Sequence, residues 1–219
     1  MSKSRVARWV AALALAASFS TWAGTGVPDE QLWTELDVIA PLRDKLSVTG
    51  IGQVRVSESL DNPTLSALGA DLNYKDGAWT FAAGYRHQLT GHRTVDPKVT
   101  QIALLMATRA WQLGRSTVLI RARFEDTITA SSNPYRMRVR AEYRWKTSDL
   151  GPISYLFTND EVYYQFSNNE FFRNRFQAGM NFLLGKRTGL KLYYQRQDDK
   201  LSHPGAINAL GLIAAITFD

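Results

Sequence analysis

The chain has 219 residues, with 26 lysines and arginines against 20 aspartates and glutamates and a formal net charge of +6. Cysteine is absent, which excludes a disulfide framework and any thiolate metal site. No stretch reaches the ~18 consecutive apolar residues of a membrane-spanning helix.

The opening MSKSRVARWVAALALAASFSTWAG sets Lys3, Arg5 and Arg8 ahead of an apolar run from Trp9 to Ala17, with small residues leading up to Ala23. This is the layout of a secretory signal cut after Ala23, so residues 1–23 are expected to be removed and 24–219 to form one exported domain. Losing three basic and no acidic residues leaves a net charge of about +3. On an exported chain, so small an excess argues against nucleic acid as a partner.

From Gln31 to Ala40, Leu32, Thr34, Leu36 and Val38 alternate with Trp33, Glu35, Asp37 and Ile39, and Pro41 to Asp44 makes a turn. Leu46 to Ser57 sets Val48, Val54 and Val56 against Thr49, Gln53 and Arg55, with Gly50 and Gly52 marking curvature. Leu68, Ala70, Leu72 and Tyr74 then alternate with Gly69, Asp71 and Asn73 up to the hairpin signal Lys75, Asp76, Gly77. The return strand carries Trp79, Phe81, Ala83 and Tyr85 on one face and Thr80, Gly84, Arg86 and Gln88 on the other. Val99 to Ala110 is mostly apolar, with Ile102, Leu104 and Met106 sharing a face. After Gly114, Val118, Ile120, Ala122 and Phe124 oppose Leu119, Arg121, Arg123 and Glu125.

The clearest alternation is Tyr135 to Lys146, YRMRVRAEYRWK, where Tyr135, Met137, Val139, Ala141, Tyr143 and Trp145 interleave with Arg136, Arg138, Arg140, Glu142, Arg144 and Lys146. A period of two makes this a strand with one apolar and one charged face. Ile153 to Phe166 is extended, but its alternation breaks near Asn159, Asp160 and Glu161, where a bulge is expected to re-aim one acid. Phe176, Ala178, Met180 and Phe182 oppose Arg173, Arg175, Gln177 and Asn181; Leu190, Leu192 and Tyr194 oppose Lys191, Tyr193 and Gln195. The last strand aligns Leu210, Leu212, Ala214, Ile216 and Phe218.

These are eleven strands joined alternately by short turns and longer loops, an antiparallel up-and-down meander. Bacterial membrane barrels have even counts as a rule, so one strand is expected to be missed or invented, within a range of ten to twelve. Strands of ten or more residues, aromatics near strand ends and the apolar final strand together point to an all-β transmembrane barrel in the outer membrane. The alternative is a soluble periplasmic lipocalin-like barrel with the same alternation turned inside out, placing Phe124, Tyr143 and Trp145 in its core.

The segments LFTNDEVYYQF and FFRNRFQAGMNF, the later LKLYYQRQDD, and QLWTELDV and GYRHQL nearer the start resemble the bacterial family catalogued as domain of unknown function 2490. The resemblance implies an outer-membrane barrel and no particular activity.

If the loop after Glu125 joins its strands symmetrically, Arg123 lies opposite Arg138, Arg121 opposite Arg140 and Glu125 opposite Arg136. Opposed cations repel, and Glu142, Glu161, Glu35, Asp37 or an external anion must offset them. Arg173 and Arg175 widen the positive region. One function follows from Arg121, Arg123, Arg136, Arg138, Arg140, Arg144, Arg173 and Arg175: a lumen that selects small anionic solutes, with Glu125, Glu142 and Glu161 as counter-charges. The other is mutual bracing that closes the barrel without transport. Its remaining partners are outer-membrane lipid and the machinery that inserts barrels into it. Neither metal nor cofactor is expected. An enzyme is the rival class, but His92 and His203 fall in loops, His87 lies on an apolar face, and neither GxSxG nor HExxH occurs.

Overall fold

The computed structural model describes residues 28–57, 63–91, 98–129, 134–147, 150–201 and 205–218. The secretory stretch 1–23, His92 and His203 lie outside these. The strands are β1 (Asp29–Arg43), β2 (Leu46–Ser57), β3 (Pro63–Asp76), β4 (Trp79–Thr90), β5 (Lys98–Leu113), β6 (Ser116–Ile128), β7 (Tyr135–Lys146), β8 (Ile153–Gln165), β9 (Glu170–Leu183), β10 (Thr188–Asp199) and β11 (Ala206–Thr217). Each pairs antiparallel with its sequence neighbour, and the sheet closes on itself.

The closing pair corrects the expectation of an even count. All eleven segments form strands, so the first and last run in the same direction and β1 joins β11 in parallel, from Asp29 opposite Ile207 to Ile39 opposite Thr217. An odd meander can close in no other way, and a parallel ladder satisfies the same backbone groups with slanted bonds.

Polarity is inverted relative to a soluble fold. The side chains most open to the outside include Leu68, Leu105 and Leu210, at 71%, 63% and 60% exposure, whereas Glu161 and Gln195 are fully buried within. Phe124 and Trp145 face outward, and Trp79, Trp111 and Phe218 join Trp145 near the short turns. Tyr135, Phe166, Phe171 and Tyr194 are exposed nearer the long loops.

The bulge expected near Asn159 is absent. Glu142, Ala141 and Arg140 pair in uninterrupted register with Asn159, Asp160 and Glu161. Alternation breaks there because a polar residue occupies the outer face: Asp160 points outward and accepts a hydrogen bond from Asn174 at 2.8 Å, while Glu161 points in. The irregularities of β8 fall in its other ladder, with β9, between Ile153 and Tyr155 and between Tyr163 and Tyr164. At the second, Phe172 is skipped, which brings its ring inside beside Arg173.

Tyr193 lies flat on the inner wall because both of its register neighbours, Gly179 and Gly211, lack side chains. A Cβ on Gly211 would stand 2.0 Å from the Tyr193 ring, and one on Gly179 would stand 2.2 Å from the Leu192 carbonyl oxygen. Gly179→Ala is therefore expected to lower stability by about 1–3 kcal/mol through overpacking. Gly189→Ala, whose nearest obstacle is 3.9 Å away, should be close to neutral, and urea titration of the two variants measures the difference.

Candidate functional site: the lumen and its arginine network

All eleven strands contribute to a central cavity of about 340 Å³. The inner face of β6 to β10 is built in register rows. One row runs Arg121, Arg140, Glu161, Arg175, Gln197, and the next runs Arg123, Arg138, Tyr163, Arg173, Asp199. The hairpin symmetry read from the sequence is the observed one, with Arg121 opposite Arg140, Arg123 opposite Arg138 and Glu125 opposite Arg136.

Glu161 offsets most of that repulsion. Its carboxylate meets Arg121 at 2.7 Å, Arg138 at 2.7 Å, Arg140 at 3.3 Å and Arg175 at 3.8 Å, and it accepts a hydrogen bond from the Tyr163 hydroxyl at 2.9 Å. Arg138 bridges to a second carboxylate, Glu125, at 2.8 Å, and Glu125 also meets Arg123 at 2.7 Å. Although Arg136 is the register partner of Glu125, it lies instead over the Phe172 ring, 5.5 Å from its centroid. Charge-assisted forks of this kind are strong when every acceptor lone pair is used, and Glu161 has almost none to spare.

Of the arginines expected to act together, Arg121, Arg123, Arg136, Arg138, Arg140, Arg173 and Arg175 line the cavity. Arg144 does not. It pairs with Glu142 nearer the short turns and lies 5.0 Å from the Tyr155 ring. Glu142, Tyr155 and Phe157 are likewise absent from the lining, so on this side the open space lies toward the long loops. Below Glu161, a neutral ladder continues the bracing: Asn159 donates to Gln177 at 2.9 Å, and Gln177 donates to Gln195 at 2.7 Å.

Several lumen residues were not singled out from the sequence. Arg86 forms a two-pronged pair with Asp71, at 2.8 and 2.7 Å, seated over Gly69 and Gly84. Arg55 stacks on Trp33, Arg173 pairs with Asp199, and Lys191 lies 4.5 Å from the Phe157 ring. Each occupies the polar face of its strand, so parity alone was a usable signal. Trp33, sharing that face with Glu35 and Asp37, was the aromatic out of place. Glu35 accepts from Gln53 at 3.0 Å and Asp37 forms no ion pair among the described residues, so neither offsets the β6–β7 arginines. His87 projects outward beside Leu36 and Leu68. Among the described residues, no group of three metal-binding side chains occurs.

Among the described residues, ten cationic side chains and four carboxylates line the cavity, and counting Glu161 and Asp199, which pair with lining arginines, the cations keep an excess of four. The described lining of this cavity thus carries an excess of positive charge, and its arginines are braced by Glu161 and Glu125.

A comparison with curated proteins returns no match. Among solved structures, the anion-selective porin from Comamonas acidovorans aligns with 81% of this chain at 13% identity and a TM-score of 0.41. The chain spans about half the length of that porin, 53% of it being covered. The model of a family described as "Protein of unknown function (DUF2490)" matches residues 30–208, and the chain belongs to that family.

Proposed function

We propose that the protein is an outer-membrane β-barrel whose hydrated lumen admits small anionic solutes. The observation that carries this reading is the inverted polarity of the wall: leucines at 60–71% exposure outside and fully buried glutamate and glutamine inside. Such a cylinder is stable where its outside meets hydrocarbon and its inside meets water. Strands of 12 to 16 residues, tilted at ~40°, are long enough for an apolar band of roughly 25 Å. The positive excess along the cavity supports anion over cation passage, because a charged constriction selects by sign.

A second reading, a closed barrel with no transport, is favoured by one specific observation: Glu161 ties together arginines from β6, β7 and β9 across the wall. Conductance separates the two. In a planar bilayer under a salt gradient, the channel should give a reversal potential on the anion side, moved toward zero by Arg138→Gln and Arg140→Gln. If purified protein inserts and passes no current, the closed barrel stands.

A further inference from the structure

In the long-loop half of the lumen, four guanidiniums rest on two aromatic rings. Arg55 and Arg175 lie 3.6 and 4.9 Å from the centroid of Trp33, and Arg136 and Arg173 lie 5.5 and 5.3 Å from that of Phe172. Tyr163 sits between the pairs, 5.2 Å from both Arg173 and Arg175. Stacking engages the flat face of a guanidinium and leaves its rim of N–H donors for an acceptor in the plane.

Those rims are incompletely used. Arg173 donates to Asp199, and Arg175 to Gln197 at 2.7 Å. Arg55 reaches only Gln53, at 3.2 Å, and Arg136 forms no ion pair among the described residues; the Nε atoms of both are buried without an acceptor. Each ring thus carries one guanidinium with an acidic neighbour, Arg173 on Asp199 and Arg175 3.8 Å from Glu161, and one without, Arg136 or Arg55, and all four face one cavity. Arg173 and Arg175 stand two residues apart on β9, which sets the two pairs roughly 7 Å apart. Two apolar side chains, Leu65, the register partner of Arg55, and Ile102, line the same space.

An occupant that fits has an anionic group at each end and a short apolar body between. We infer that this half of the lumen binds short linear dicarboxylates, one carboxylate on the rims of Arg55 and Arg175, the other on those of Arg136 and Arg173, with the methylenes against Leu65 and Ile102. A monocarboxylate fills only one site. Phosphate has no methylenes to set against those two side chains. The inference rests on the reading above, that the lumen is open to aqueous solutes.

Isothermal titration of the detergent-solubilised barrel with glutarate, acetate, phosphate and putrescine tests it. Glutarate should saturate a single site at least tenfold more tightly than acetate or phosphate, and putrescine should give no heat of binding. Arg55→Gln and Arg136→Gln should each bring glutarate down to the level of acetate. Neither arginine holds an ion pair among the described residues, so each variant gives up its ring stacking but no charge partner and should lose far less stability than a variant of Glu161. Should one fail to fold, Arg55→Lys or Arg136→Lys, which keeps the charge without the planar fork, should still weaken glutarate severalfold. Equal binding of glutarate and phosphate, or unchanged glutarate binding in Arg136→Gln, overturns the site. Anion-selective current without glutarate binding removes this site alone, whereas glutarate binding without current removes the channel and leaves the site.

Discussion

Glu161→Gln is expected to lower the stability of the barrel by about 3–5 kcal/mol, because removing one partner of a buried ionic cluster leaves the others uncompensated. Glu161 is fully buried, and four guanidiniums approach it. Glutamine keeps the shape and supplies one acceptor oxygen, so the loss reports charge rather than volume. Its amide nitrogen also turns a donor toward guanidiniums that are donors themselves. The comparison is Glu142→Gln: Glu142 pairs with Arg144, whose side chain is 33% exposed, so water takes over part of the lost interaction and the cost should be well below that of Glu161→Gln. Urea titration of refolded protein in lipid vesicles, following tryptophan fluorescence, measures both. Equal midpoints for the two variants would show that Glu161 is not the centre of the network.

Leu105→Arg should be nearly as costly, and it tests the outside of the cylinder. Leu105 lies mid-strand in β5 at 63% exposure, flanked by Ala83 and Phe124. In water, arginine at so open a position shifts stability by no more than about 0.5 kcal/mol. Facing the middle of a bilayer, the same change costs roughly 2–4 kcal/mol. Vesicle refolding with and without the substitution discriminates between those surroundings, and an unchanged unfolding midpoint would end the membrane reading.

Much of this architecture was legible because a strand's period of two sorts each residue to a face before any contact is known. Arg138 and Val139 fall on opposite sides whatever encloses them, and the symmetric hairpin placed Arg121 against Arg140 correctly. Asp160 was harder. An acid on the outer face imitates the signature of a bulge, while the nearer of the two actual irregularities, at Phe172, leaves the local pattern nearly intact. That Glu161 is a counter-charge was legible, but not which arginines meet on it, since Arg121 and Arg175 approach from strands on either side of it and their reach depends on how tightly the cylinder closes. The same holds for the pairing of Arg55 with Trp33, where parity places both on the inner face but only the closed wall sets one upon the other.

The parallel seam between β1 and β11 has a consequence for engineering. Asp29 sits at the rim with the long loops and Phe218 at the opposite rim, so a circular permutant must carry a linker along the full height of the cylinder. Eleven paired residues, tilted, span roughly 28 Å, or about nine extended residues of new chain. In the membrane setting proposed above, a tether outside would leave its peptide groups without partners, and one inside would have to displace the braced ladder of Asn159, Gln177 and Gln195, so the permutant should refold poorly.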